Sequence, residues 1–362
     1  MKKNVALIFG GKSGEHEVSL SSACSIYNNI DKQKYNIYTI GITKQGDWMY
    51  YEGDSENIKN GNWVNLSNKN AKINLIPTKD KKIGIEVEDK FYEIDVFFPV
   101  IHGPYGEDGT IQGLFEISNI PYVGCSVLSS SIGMDKIMCK KIFKEGNLPQ
   151  VEFAYTTEFE FKKDKEKVIS DIEKSIKYPM FVKPANLGSS VGISKVKTKD
   201  ELEKAISEAL KYDRRVIIEQ GINAREIEVS VLGNDEVYAS VAGEIIPAKE
   251  FYDYEAKYIS ESSKLLIPAS IDENLMEKVR DMAIKAFKMI DGCGLARVDF
   301  FIDKDTNEIY INEINTMPGF TKISMYPKLW EASGIKYKDL IDKLIDLAIE
   351  RFNQKNSKEV CK

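Results

Sequence analysis

Histidine is almost missing from this 362-residue chain, with only His16 and His102. Neither has a cysteine nearby, which argues against a zinc centre built from imidazole and thiolate. The five cysteines (Cys24, Cys125, Cys139, Cys293 and Cys361) are odd in number and scattered, and no two are spaced as CxxC. That pattern suits reduced thiols inside a cytoplasmic protein better than a disulfide framework. No stretch approaches the roughly 18 consecutive apolar residues of a membrane span. The short run Val5–Phe9 imitates a signal peptide but meets Gly10-Gly11, so a first core strand is the expectation. Basic side chains number 50 against 56 acidic ones, a mild negative balance that argues against a general nucleic-acid binder. Gly10-Gly11-Lys12-Ser13 tempts a P-loop reading, but the glycine required five positions before Gly11 is absent, Ala6 standing there. Internal repeats and low-complexity tracts are also missing.

What is present is a polar pair on each arm of an expected hairpin. Side chains alternate faces along a strand, so Arg297 and Asp299 share one face while Val298, Phe300 and Ile302 point away. Glu313 and Asn315 share a face in the same way, and the polar stretch 303–308 reads as the turn. A hairpin centred near Thr306 sets Asp299 opposite Glu313 and Arg297 opposite Asn315. Opposed like charges are destabilising and call for compensation. Two carboxylates and an amide oxygen suit Mg²⁺, although a solvated polar face has the same spacing.

The organisation follows from periodicity. Strand and helix signals alternate over residues 1–127 (strands near 5–9, 37–42 and 96–101, a helix near 18–30), which predicts a parallel sheet with helices on its faces. A central lobe is expected over 128–214, with helices near 134–145, 162–177 and 199–211 and a strand at 180–183. A C-terminal lobe is expected over 215–362, with an irregular, aromatic segment at about 245–263 that reads as a lid, and helices near 273–289 and 338–354.

Several further motifs carry chemistry. Glu15 and Glu17 sit where a helix dipole favours anions, so first-turn capping competes with a ligand role at the end of a first strand. His102 opens a Gly-rich turn, which by itself is a sufficient structural account. Lys183 ends a strand and leads into Pro184-Ala185-Asn186-Leu187-Gly188-Ser189-Ser190, small residues with backbone N–H groups suited to phosphate. Glu219 to Ile222 close a buried strand whose backbone could meet an adenine edge. Glu226 could accept from ribose or start a helix. Gly319, in a Pro-Gly turn after the metal strand, exposes its N–H to whatever binds there.

Taken in order, these strings, together with Met134-Asp135-Lys136 and Tyr252-Asp253-Tyr254-Glu255-Ala256-Lys257-Tyr258, resemble those of the D-alanine–D-alanine ligase family of ATP-grasp enzymes. The resemblance covers nearly the whole chain. It implies an α/β Rossmann-like N-terminal domain followed by a bilobed ATP-grasp fold, ATP as cofactor, and two Mg²⁺ ions, with Mn²⁺ a possible substitute. It also implies a cytoplasmic homodimer that supplies peptidoglycan precursors, with no nucleic-acid or membrane partner. By resemblance, Lys136 and Lys183 contact ATP phosphates, Glu219, Gln220 and Ile222 hold adenine, and Glu226 holds ribose. Asp299, Glu313 and Asn315 ligate Mg²⁺. Glu15 takes the ammonium of the first D-alanine and joins Ser189 and Tyr258 in closing the lid, with His102 close by. Arg297 and the Gly319 N–H form an oxyanion hole, while Ser324 and Lys257 take the second carboxylate or nearby phosphate. Tyr258 argues against a lactate-type ligase, and Met325, where serine-type ligases often carry a basic residue, argues for D-alanine over D-serine, the alternative second substrate. Ile323 replaces a frequent His and Gln220 a frequent Lys.

Overall fold

The computed structural model describes residues 2–77, 82–189, 191–246 and 264–358. Its first sheet runs in the order β3-β2-β1-β7, from β1 (Lys3–Gly10), β2 (Tyr35–Ile42), β3 (Trp48–Tyr51) and β7 (Val96–Val100). β1 lies parallel to both β2 and β7, as strand and helix alternation predicts. Between β3 and β7 a small antiparallel sheet is formed by β4 (Lys72–Asn74), β5 (Gly84–Val87) and β6 (Lys90–Glu93). These short strands were not foreseen.

The second sheet, β10-β9-β11-β8, uses β8 (Phe153–Thr157), β9 (Met180–Pro184), β10 (Ser194–Val196) and β11 (Arg215–Gln220). The third, β14-β13-β12-β15-β16, uses β12 (Ala224–Gly233), β13 (Val237–Ile246), β14 (Lys264–Leu266), β15 (Gly294–Asp303) and β16 (Ile309–Asn315). β11 bonds to β8 and β9, so the chain changes sheets after Gln220 and not at 214. The lobe boundary is also less clean than the sequence suggests. Cys139, Phe143 and Leu148 are buried with the third sheet, against Val229, Val298 and Ile314.

Aspartates set the limits of two expected helices. The first, expected over 134–145, runs Lys136–Glu145 and is preceded by an unexpected helix, Val127–Met134, because Asp135 leaves the helical region and accepts from the N–H groups of Ile137 and Met138. This puts Lys136 at the start of a helix, aimed away from its axis. The second, expected over 162–177, is Glu158–Lys163 and Lys165–Ser175, with the Asp164 carboxylate accepting from Lys167 N. The C-terminal helix Tyr337–Asn356 does not stay with its own lobe. Leu340, Ile341, Leu344, Ile345 and Ala348, spaced along one helical face, share a core with Val5, Leu7, Phe9 and Phe98 of the first sheet. Its Arg351 donates to the carbonyls of Gly124 and Tyr122 and stacks over the Tyr122 ring. Among the described residues no helix is long and apolar enough to cross a membrane.

Candidate active site

A cavity of about 1030 Å³ opens between the three main sheets. It is lined by Glu15, His102, Lys136, Lys183, Ser189, Glu219, Gln220, Ile222, Glu226, Arg297, Glu313, Asn315, Gly319, Ser324 and Met325, residues drawn from across the chain. Asp299 is not in its wall but touches two residues that are, Arg297 and Asn315. Lys257 and Tyr258, and all of the segment expected as a lid except residues 245–246, lie outside the described residues. Ser190, in the loop expected to meet phosphate, does too.

The hairpin has the expected register: Asp299 pairs with Glu313 and Arg297 with Asn315. Strict alternation would nevertheless have failed on the second arm, because Ile309 and Ile311 are buried and would have carried Glu313 inward with them. A bulge corrects this. The register passes from Asp299↔Glu313 to Phe300↔Ile311, leaving Asn312 as the extra residue and turning both Asn312 and Glu313 to the cavity. The Asp303 carboxylate organises the turn by accepting from Asp305 N and Thr306 N, each at 2.9 Å.

A third carboxylate joins the row, since Glu228 on β12 pairs with Asp299. Arg297 is the compensating charge: Nε and Nη2 donate to the two oxygens of Asp299 at 2.7 Å each, and Nε lies 3.1 Å from Glu228. Asn315 Nδ2 donates to Asp299 at 3.0 Å, which leaves the amide oxygen to serve as a ligand. Two carboxylates and an amide oxygen, with no imidazole or thiolate, form a hard donor set that fits Mg²⁺. No group of three His, Cys, Asp or Glu with metal-holding geometry occurs among the described residues. Three protein donors are fewer than the oxygen ligands Mg²⁺ takes, so positions remain for water or phosphate oxygens.

Opposite the hairpin is a cationic group. Lys136 Nζ donates to the Leu187 carbonyl at 2.8 Å and lies 3.8 Å from Glu313. Its helix is anchored by Asp135, which pairs with Arg215. Glu219 is buried, its two oxygens 2.7 Å from Lys140 and 2.5 Å from Lys183. Burial raises the Glu219 carboxyl, but the attraction and hydrogen bonds of the two lysines outweigh it and pull it down to about 2. Lys183, for which burial alone would favour the neutral form, is raised by Glu219, Glu313 and Glu226 and stays charged. Glu226 lies mid-strand on β12, so the helix-start alternative falls away. The N–H groups of Gln220 and Gly221 donate to Glu152 and Pro179 carbonyls, which restricts any adenine readout there to carbonyls and the Ile222 N–H.

At the third wall, Glu15 precedes helix His16–Asn29 without capping it through its side chain. Instead its carboxylate accepts from the Ser189 hydroxyl. Gly103 and Gly188 permit this: a Cβ at Gly103 would lie 2.5 Å from Glu15 Oε2, and one at Gly188 3.2 Å. Glu17, one step on, points elsewhere to pair with Lys44. His102 is buried, with Nδ1 3.0 Å from the Met317 carbonyl, Nε2 3.2 Å from Ser22 Oγ, and Glu107 3.5 Å away. Burial lowers its pKa, yet Glu107, Glu15 and the Met317 carbonyl together raise it above the ordinary value. Gly319 packs against Ser324, whose hydroxyl accepts from Thr321 N at 3.0 Å. Met325 is buried beside Ile245 and Leu329, whereas Ile323 is 42% exposed at the cavity mouth.

Sequence reasoning missed Lys140, Glu228, Glu107 and Asp135. Two left a signal: Glu226 and Glu228 alternate with apolar residues and so share a strand face, and Asp135 is a capping residue ahead of a helix.

Comparison with known proteins agrees over the whole length. Residues 4–125 match the family model described as the D-ala D-ala ligase N-terminus, and 142–346 that of the C-terminus. A D-alanine–D-alanine ligase of Acetivibrio thermocellus is 53% identical, with 99% of this chain and 98% of that protein covered. One of Caldicellulosiruptor bescii is 54% identical, with 98% of each covered. Among solved structures, the D-alanine-D-alanine ligase of Coxiella burnetii superposes with a TM-score of 0.86 at 37% identity, covering 98% of this chain and 96% of that one. The VanG D-Ala:D-Ser ligase of Enterococcus faecalis gives 0.85 at 38%, covering 96% and 100%. With the ATP-grasp architecture of those structures and both halves matched, the chain belongs to the D-alanine–D-alanine ligase family.

Proposed function

We propose that this protein joins two D-alanine molecules into D-alanyl-D-alanine, consuming ATP, for peptidoglycan precursor synthesis. The observation that carries the reading is the meeting of Lys136 and Glu313 at 3.8 Å, a phosphate-binding cation beside a metal-binding carboxylate. ATP phosphates and Mg²⁺ are the complementary pair that such an arrangement receives.

A carboxylate is a poor electrophile, so the γ-phosphoryl group first passes to the first D-alanine, giving a D-alanyl phosphate and ADP. Lys136 and Lys183 hold the phosphates in line and offset their charge. Asp299, Glu313 and Asn315 would hold two Mg²⁺ ions, with Mn²⁺ a substitute, which supply charge neutralisation at the transferring phosphate. Glu219 and the backbone to Ile222 take adenine, and Glu226 takes ribose. Glu15, held by the Ser189 hydroxyl, binds the first ammonium, and buried His102 fixes the loop beside it. The second amine then attacks the acyl phosphate carbon, and phosphate leaves. Arg297 and the Gly319 N–H stabilise the oxyanion, at about 2.7–4 kcal/mol per donor in comparable sites. Ser324, with Lys257, takes the second carboxylate, and Tyr258 joins the Glu15–Ser189 set to shut out water. The same reading makes the protein a cytoplasmic homodimer with no nucleic-acid or membrane partner.

The test is product analysis with ATP, Mg²⁺, D-alanine and D-serine at equal concentrations. D-alanyl-D-alanine is the expected main dipeptide, in keeping with buried Met325. D-alanyl-D-serine as main product would establish the second reading, and ATP turnover without any dipeptide would overturn both.

A further inference from the structure

Of the four lysines in the helix Lys136–Glu145, Lys136 and Lys140 lie one turn apart and do different things. Lys136 reaches the cavity. Lys140 stops behind it, with its side chain only 2% exposed and its Nζ 2.7 Å from Glu219 Oε1, and it is not among the lining residues. The Phe153 ring, centred 5.7 Å from that nitrogen, closes the other side. Glu219 therefore has two cations, Lys140 from behind and Lys183 from the cavity side at 2.5 Å. Burying a charge is costly, and one buried carboxylate needs one partner. The second lysine is surplus until something in the cavity draws one of them away.

Only Lys183 can be drawn, because it lines the cavity and Lys140 does not. We propose that Lys140 is a positioning residue, the standing counter-ion of Glu219 that frees Lys183 to move onto the nucleotide phosphates. Without Lys140, every transfer of Lys183 to phosphate would strand a buried carboxylate, and that cost would fall on nucleotide binding. The nucleotide-free protein would lose little, since Lys183 would remain on Glu219. The inference rests on the cavity being the ATP site.

Calorimetric titration of ADP with Mg²⁺ into full-length protein separates the two ideas. Lys140→Met is expected to weaken ADP binding roughly 100-fold or more, the scale on which an unpaired buried charge acts. The KM for D-alanine should stay within about twofold, as expected for a site that shares no partner with Lys140. In a Glu219→Gln background the same substitution should change ADP affinity by no more than about twofold, because no carboxylate is left to strand. Lys140→Arg should restore most of the affinity. An equal loss in both backgrounds, or a lowered melting temperature with ADP affinity unchanged, would overturn the inference, and Lys140→Gln carries the same test if the methionine variant does not fold. Wild-type protein that fails to bind ADP would instead overturn the nucleotide reading beneath it.

Discussion

The two sides of the cavity are charged in opposite senses and held in opposite ways. On the hairpin side two carboxylates, Glu228 and Asp299, share one guanidinium, Arg297, while Glu313 beside them lies 3.8 Å from Lys136. On the other side two lysines, Lys140 and Lys183, share one carboxylate, Glu219. Each side is short of the charge its ligand brings, a cation for the first and a polyanion for the second. The side chains that wait for ligand are thereby held in place, which is electrostatic preorganisation built from mismatched counts. The lysine side is the more deeply buried, so it has more influence on folding, and the hairpin side has more on chemistry.

Removing the cation-seeking donors should give the largest effect. Asp299→Ala with Glu313→Ala should lower kcat on the order of 10³-fold or more, the scale of several kcal/mol of lost charge stabilisation. Stability should change far less, because Arg297 keeps Glu228. Steady-state kinetics beside a denaturation curve checks both, and a large stability loss would erase the contrast between the two sides.

Glu219→Gln probes the lysine side and should act the other way round, with the effect concentrated in stability. The Glu219 carboxyl falls from 4.5 to about 2 on folding, so its contribution is fully present above about pH 4.5 and is lost as pH falls toward 2. The variant should lose about 3 kcal/mol near neutrality, where two lysines are left facing each other. Its unfolding free energy should also fall less than that of the wild type between pH 4.5 and 2. Parallel pH profiles for the two proteins would show that the pair contributes nothing.

The smallest change sharpens the comparison at the third wall. Gly103 has φ +75 and no room for a Cβ beside Glu15. Gly103→Ala should cost about 1–2 kcal/mol in local strain and raise the KM for D-alanine while leaving ADP affinity as it was. A KM for D-alanine equal to that of the wild type would detach Glu15 from substrate binding.

Much of this site was legible because period-2 alternation is short-range. Arg297 and Asp299, two residues apart, had to share a face, and the polar turn fixed what stood opposite them. The same rule hid the Asn312 bulge, since nothing local distinguishes an inserted residue from a paired one. Lys140 was illegible for another reason. In Lys136–Glu145 it is one of four lysines, and only the packing of Phe153 and Glu219 around it separates it from solvated neighbours such as Lys144. The aspartate breaks at 135 and 164 follow from capping chemistry that the apolar period overrode. No local pattern tells where the C-terminal helix docks, because its apolar face fits any core.

That docking has a consequence for how the chain is made. The first sheet shares its core with Leu340 through Ala348, so residues synthesised first wait for residues synthesised more than three hundred positions later. At about 5–20 residues per second on the ribosome, that wait is tens of seconds. For that time Val5, Leu7 and Phe98 keep an uncovered apolar face. The burden on chaperones during biosynthesis should therefore fall on the N-terminal sheet, even though β1 pairs with β2 and β7 without a register shift.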